Sequence, residues 1–256
     1  IIIDKTKPTV GTPTITQTGT TKLYGSTYHT TENTVVINIP VSDPDSVISS
    51  TDNKWGYKLG SGGTPTAGFT HSYDTPSITA PNTSSETLDF YAIDKAGNPS
   101  ADPGTITVMK DLEPPTISGY TLKGENGGAN YINIADDGKV TATLTVSKPV
   151  VGVKKLTFGG DGLNSTTPLA GIEINGSTSG FTVDGSTITF DTAITTATEL
   201  IITGIMVTTG DNEKVISITA IDSIENSSGA VNQSNTITQD RTPPTITRIT
   251  AIKPED

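Results

Sequence analysis

Asp111-Leu112-Glu113-Pro114-Pro115-Thr116-Ile117 is the stretch of sequence that decides the fold. Near its start the chain reads Asp4-Lys5-Thr6-Lys7-Pro8-Thr9-Val10, and near its end Asp240-Arg241-Thr242-Pro243-Pro244-Thr245-Ile246. Each copy has Asp, three residues, Pro, Thr and then a β-branched aliphatic residue. Three widely spaced copies of one pattern indicate a joint between repeated modules.

The joints predict where the modules begin and end. Residues 1–3 are the end of a preceding repeat, 4–110 the first complete module, 111–239 the second, and 240–256 the start of a following repeat. Each complete module is long enough to bury its own core. The second is larger and gains an extra hairpin. Both ends are expected to be cut from a longer array, so a missing targeting signal says nothing about location.

Alternating apolar residues predict strands rather than helices. Val35, Ile37 and Ile39 fall on one face of a half-buried strand, and 139–147 repeats the pattern. Asp184-Gly185, in the run 181–190, predicts a hairpin with a type I′ turn. Many short strands bounded by turn signals predict an all-β fold, two tandem antiparallel β-sandwiches in an elongated arrangement.

A second landmark recurs in register with the joints. Ala92-Ile93-Asp94, followed by Asn98, matches Ala220-Ile221-Asp222, followed by Asn226. Together with the joints and with Ser42-Asp43 ahead of Trp55-Gly56-Tyr57, it resembles bacterial immunoglobulin-like repeats. The second module departs from the pattern, with Ser223-Ile224-Glu225 in place of Lys95-Ala96-Gly97. The resemblance implies an extracellular location, at a bacterial surface or secreted, and neighbouring repeats of the same chain as partners.

Composition excludes several classes of function. The formal net charge is −11 and no cluster of Lys and Arg appears, which argues against binding nucleic acid or an anionic membrane surface. No apolar run reaches the roughly 18–20 residues that span a bilayer, so no membrane insertion is expected in this segment. The two histidines, His29 and His71, lie in polar stretches and are expected to be solvated loop residues. Without a base beside a nucleophile, the chain is not expected to be an enzyme.

Carboxylates and amides gather around the predicted joints. Alternate loops of a sandwich lie at one pole, so the joint, the loop after the second strand and the loop before the last strand should meet. Hard oxygen ligands are what Ca²⁺ requires. The alternative is that these residues cap turns, that Asn98 tolerates the left-handed conformation, and that no ion binds. The hypothetical calcium ligands are Asp4, Asp43, Asp45, Asp94 and Asn98 at the first joint, and Asp111, Glu113, Asp222 and Asn226 at the second.

The sequence leaves three functions open. The first is a spacer, a stalk of immunoglobulin-like repeats in an adhesin, in which Pro at each joint keeps the link short and stiff. The second is direct binding of host protein or glycan, and the third is an accessory module of a secreted polysaccharide-degrading enzyme. The aromatic residues that would stack on sugar, or alternatively fill the core as a Trp on the third strand of such a sandwich more often does, are Trp55, Tyr57, Phe69 and Tyr73.

Overall fold

The computed structural model describes residues 4–43, 54–59, 71–72, 77–79, 85–126, 128, 130–243 and 245, with the backbone alone for 54–59, 71–72, 77–79 and 134. Strand is the dominant regular structure, with 54% of residues in strand and 1% in helix, which confirms the all-β prediction. One short 3-10 turn, Ile134–Asp136, is the only helical element among the described residues. No helix in the described ranges is long and apolar enough to cross a membrane.

The strands fall into two groups along the chain. The first is β1 Thr9–Val10, β2 Thr14–Ile15, β3 Thr21–Tyr24, β4 Thr27–Thr30, β5 Thr34–Asn38, β6 Val41–Ser42, β7 Lys54–Leu59, β8 His71–Ser72, β9 Ser77–Thr79, β10 Glu86–Ile93 and β11 Gly104–Lys110. The second is β12 Thr116–Gly124, β13 Tyr131–Ile132, β14 Lys139–Ser147, β15 Val153–Gly159, β16 Leu169–Ile174, β17 Phe181–Asp184, β18 Thr187–Ile194, β19 Thr198–Met206, β20 Ser217–Asp222, β21 Ser227–Asn232 and β22 Thr238–Gln239.

The chain forms two compact units. The first comprises Ile1–Pro114 together with Pro149–Gly152 and Asp222–Ser227, and the second comprises Pro115–Lys148, Val153–Ile221 and Ser228–Asp256. Two loops of the second predicted module therefore group with the first unit by their contacts. The module limits at 110 and 239 describe the sequence repeat and stay predictions.

The first unit is a β-sandwich. A six-stranded sheet, in the order β3-β4-β11-β10-β7-β8, faces a three-stranded sheet in the order β2-β5-β9, and β1 pairs with β6. One face of each sheet is apolar, because Val35 and Ile37 alternate with exposed residues along β5 and Leu88 and Phe90 are buried along β10. These side chains form one core between the sheets, and each buried aliphatic or aromatic residue contributes about 1.5–3 kcal/mol.

The second unit repeats the plan with more strands. A four-stranded sheet, β12-β14-β19-β16, faces a five-stranded sheet, β17-β18-β15-β20-β21. The alternation predicted for 139–147 is confirmed, since Val140, Ala142, Leu144 and Val146 are all buried. They join residues of β15, β18, β19 and β20 in a single core.

Among the strand pairs of the described residues, each unit contains one parallel pair, which the sequence did not predict. In the first unit β4 runs parallel to β11, with Thr27 opposite Thr107. In the second unit β13 runs parallel to β22, with Ile132 opposite Gln239. The other strand pairs in the described register are antiparallel, as predicted.

The predicted hairpin is present, but its turn lies one residue later than the sequence suggests. Asp184 pairs with Thr187, so the loop residues are Gly185 and Ser186. Gly185 has φ 55°, and Asp184 and Ser186 are not at positive φ. A glycine at positive φ in the first central position is typical of a type II′ turn, so the type I′ prediction is wrong.

Candidate metal centre at the repeat joints

The first joint brings three carboxylates together. Asp4 opens the joint, Asp43 follows β6 and Asp94 follows β10, and one ligand atom of each lies within 4.8 Å of the others. Asp94 is buried, and Asp4 and Asp43 are half-buried. Antiparallel strands ending at one pole explain the meeting of loops distant in sequence. Asp45, predicted as a fourth carboxylate, lies outside the described residues.

Asn98 fastens this cluster to the joint. Its backbone N–H donates to Asp94 Oδ1 at 2.8 Å and its side-chain nitrogen to Asp94 Oδ2 at 2.8 Å. The same nitrogen donates to the main-chain oxygens of Asp4 at 3.2 Å and Thr6 at 3.3 Å. Asn98 thus acts as a donor here, and the ligand role for its oxygen stays a prediction. The left-handed conformation belongs to Gly97, with φ 92°.

The second joint has the same arrangement of hydrogen bonds, which we call the Asp–Asn clip (Asp94 with Asn98, and Asp222 with Asn226). The N–H of Asn226 donates to Asp222 Oδ1 at 2.9 Å, and its side-chain nitrogen donates to Asp222 Oδ2 at 3.0 Å. That nitrogen also donates to the main-chain oxygen of Asp111 at 3.0 Å. Asp111 therefore contacts the clip through its main-chain oxygen, and the meeting of Asp111 and Glu113 with Asp222 and Asn226 as a binding site stays a prediction.

The carboxylate of Asp111 has different neighbours from that of Asp4. Its Oδ1 accepts the N–H of Glu113 at 3.2 Å, while its Oδ2 lies 3.6 Å from His29 Nδ1. His29 is 6% exposed on β4 and packs edge-on against Tyr24. The prediction that His29 is a solvated loop residue is wrong, because the Thr-rich stretch around it is a buried strand. The side chain of His71 is outside the described part.

A lysine in the second repeat replaces a carboxylate of the first. Val41-Ser42-Asp43-Pro44 aligns with Val146-Ser147-Lys148-Pro149, so Lys148 occupies the position of Asp43. Within the described ranges, Asp4, Asp43 and Asp94 form the one group of three acidic side chains close enough to share an ion. This difference between the joints was readable in the sequence. Glu113 is exposed, and the ligand roles of Asp111, Glu113, Asp222 and Asn226 stay predictions.

The aromatic side chains predicted to stack on sugar or fill the core lie outside the described part of the chain. β7 carries Trp55 and Tyr57, but only its backbone is described. Phe69 and Tyr73 lie outside the described residues. A shallow groove of the first unit, about 300 Å³, is lined by Ile15, Val35, Glu32 and a set of threonines without an aromatic side chain.

No family model matches the chain, and no curated protein matches it. Among solved structures it is similar to the adhesin InvE of Yersinia pseudotuberculosis, at 16% identity and a TM-score of 0.27, over 89% of this chain and 58% of the adhesin. It is also similar to BcpA, the major pilin subunit of Bacillus cereus, at 15% identity and a TM-score of 0.29, over 77% of this chain and 67% of the pilin. It is similar as well to a structure of carbohydrate-binding modules of the β-sandwich superfamily, at 15% identity and a TM-score of 0.31, over 85% of this chain and 98% of that structure.

Proposed function

We propose that the chain is a spacer, a segment of tandem immunoglobulin-like repeats in the stalk of a bacterial surface or secreted adhesin. The observation that carries the proposal is the recurrence of one device at successive joints. Both joints begin with Asp, and at both the clip donates a hydrogen bond to the main-chain oxygen of that Asp. The amide nitrogen of each clip is engaged with a main-chain oxygen of the joint, so its natural role is to hold a repeat at its joint. On this proposal the chain is not an enzyme and its partners are adjoining repeats.

A replacement experiment in the parent protein distinguishes the spacer from direct binding. Residues 4–239 are exchanged for an unrelated pair of β-sandwich domains of similar length, and separately deleted. A spacer predicts that surface adhesion survives the exchange and falls on deletion. Direct binding of host protein or glycan predicts that both changes abolish adhesion, and that the isolated chain binds a host-matrix or glycan array. Loss of adhesion on exchange would therefore overturn the proposal.

We also propose that the first joint binds a divalent cation, for which Ca²⁺ has the matching chemistry. Asp4, Asp43 and Asp94 would hold it, because their carboxylates already converge and would otherwise repel one another. Bound Ca²⁺ supplies positive charge that offsets this repulsion. No counterpart is proposed at the second joint, where Lys148 stands at the position of Asp43.

The cation proposal predicts a calcium-dependent melting temperature. Millimolar Ca²⁺ should raise the melting temperature of the wild-type chain relative to EDTA, because a ligand that binds only the folded state stabilises it. Asp43→Asn should remove the shift. Asp43→Lys, which gives the first repeat the lysine that the second repeat has at this position, should remove it too. Asp191→Asn, an exposed carboxylate elsewhere, is the matched control and should retain the shift. An equal melting temperature of the wild type in Ca²⁺ and in EDTA would contradict cation binding at the first joint.

A further inference from the structure

The loop Thr208–Lys214 of the second unit, which we call the lysine loop, is built around a buried ammonium group. Lys214 is 0% exposed. Its Nζ donates to the side-chain oxygens of Asn212 and, at 3.3 Å, Thr208. Burial lowers the pKa of Lys214, and the negative charges of Asp211 and Asp161 act in the opposite direction. A cation surrounded by side-chain oxygens of its own loop fixes the shape of that loop.

The backbone of the lysine loop is fixed to the last strands of the unit. The N–H of Lys214 donates to the oxygen of Ile237 at 2.9 Å, and its own oxygen accepts the side chain of Gln233 at 2.6 Å. Gln239 is buried. Its N–H donates to the oxygen of Asn212 at 3.0 Å. Its side-chain amide is assigned the orientation in which the nitrogen donates to two further carbonyls of the loop at 2.9 Å.

The fixed loop presents one carboxylate to the outgoing chain. Asp211 Oδ1 accepts the N–H of Arg241 at 3.0 Å, and its Oδ2 accepts the hydroxyl of Thr242 at 2.7 Å. These two hydrogen bonds hold the pKa of Asp211 below its usual range. Asp240 Oδ1 accepts the N–H of Thr242 at 3.0 Å, so the start of the third joint is closed into a turn at the same point.

We propose that the lysine loop anchors the chain where it leaves the second unit, with Asp211 as the positioning residue that fastens Arg241 and Thr242. The contact differs from the Asp–Asn clip, because a clip fastens a joint to the repeat that the joint begins. The anchor fastens the third joint to the repeat that precedes it. Its purpose, setting the direction of an outgoing repeat, rests on the proposed spacer function. The anchor itself is a local property and is tested without it.

Trypsin supplies the test, since it cuts after Arg241 only when the segment around that bond leaves its contacts. The full chain is digested under native conditions, and mass spectrometry follows the peptide that ends at Arg241. Asp211→Asn weakens both acceptors, and Thr242→Val removes the hydroxyl donor while keeping the shape. Each should raise the cleavage rate about three- to tenfold, in proportion to the population of the released state. Asp191→Asn is the matched control and should leave the rate unchanged.

Two results would overturn the anchor. One is a cleavage rate in both Asp211→Asn and Thr242→Val that equals the wild type. The other is an equal rise in Asp191→Asn, which would show a general effect of losing a negative charge. Urea unfolding of each variant, followed by intrinsic fluorescence and circular dichroism, confirms that the second unit remains folded at the digestion temperature. A negative trypsin result would leave the spacer proposal standing, and a negative replacement experiment would leave the anchor standing.

Discussion

At the scale of single residues, the hydroxyl of Tyr120 is a buried polar group without a hydrogen bond among the described residues. The residue is 2% exposed. Burial raises the pKa of this phenol far above its usual value. An unpaired buried hydroxyl costs on the order of 1 kcal/mol or more. Tyr120→Phe should therefore stabilise the second unit by about 1 kcal/mol, measured as a higher urea midpoint. Tyr131→Phe, at a side chain 58% exposed, is the control and should change nothing.

Lys214 predicts a pH dependence whose sign follows from its lowered pKa. The unfolded lysine titrates near 10.5, and the folded one at lower pH. Between the two values the unfolded state binds more protons, so stability rises with pH in that window and the buried charge is unfavourable below it. The urea midpoint of the second unit should rise on approach to pH 10. Lys214→Met should flatten the rise. A steeper rise in Lys214→Met than in the wild type would contradict the assignment.

Glu225 is a strained residue at a position where the first repeat has glycine. It has φ 70°, and Gly97 has φ 92° in the matching turn. The two turns share their hydrogen bond to Asp222 and Asp94, at 3.3 and 3.2 Å. A residue with a Cβ pays about 1 kcal/mol or more in the left-handed region. Glu225→Gly should raise the free energy of unfolding by about 1 kcal/mol, and Gly97→Glu should lower it similarly. A lower free energy of unfolding for Glu225→Gly, or a higher one for Gly97→Glu, measured by chemical denaturation, would refute the strain.

At the scale of the element, the Asp–Asn clip depends on which atom of the asparagine faces the aspartate. Asn226→Asp places a carboxylate 3.0 Å from Asp222, which is 0% exposed. Two adjacent like charges, one buried and one half-buried, should cost on the order of 3 kcal/mol at neutral pH, with recovery in acid as one carboxyl takes a proton. The matched control is Asn164→Asp. Its oxygen already accepts from Thr166 and Thr167 at 2.9 and 3.0 Å, so its urea midpoint should stay unchanged.

The first clip extends this comparison into a test of the cation. Asn98→Asp adds a fourth carboxylate beside Asp94, Asp4 and Asp43. Without Ca²⁺ it should destabilise the chain like Asn226→Asp. With Ca²⁺ much of the loss should return, because another hard oxygen ligand strengthens a calcium site. Rescue of both variants, or of neither, in paired denaturation curves would mean that the two joints do not differ as proposed.

The same elements show how far the sequence predicts the structure. The strands β10 and β14 were predictable because apolar residues recur at every second position, Leu88 and Phe90 along β10 and Val140 and Ala142 along β14. Asp89 and Tyr91, on the other face of β10, are buried as well. β4 was missed. Its Thr27-Tyr28-His29-Thr30 is mostly buried on both sides, so it shows no alternation, and His29 therefore looked solvated. The hairpin turn was misplaced by one residue, because Asp184-Gly185 fits two turn registers and cross-strand pairing chooses between them.

At the scale of the whole molecule, repetition was the most informative signal. Three copies of Asp-x-x-x-Pro-Thr predicted two sandwiches, and two sandwich cores are present. The repeat also predicted which loops hold Asp4, Asp43 and Asp94. It did not predict that Asn98 donates through nitrogen, since an amide presents a donor and an acceptor in nearly the same shape. Burial of Lys214 was equally invisible, because its oxygen partners come from a loop without periodicity.

The parallel pair β13–β22 determines how the second unit would respond to mechanical tension. The chain enters this unit ahead of β13 and leaves it after β22. A pull on the two ends acts first on β12 at the entering side, and once it reaches β13 it drags the neighbouring parallel strands β13 and β22 in opposite directions along their length. In that geometry the interstrand hydrogen bonds resist shear together, whereas an antiparallel pair pulled from one end opens bond by bond. Asp240, whose N–H donates to the oxygen of Ile132 at 2.9 Å, adds one more bond to the sheared set.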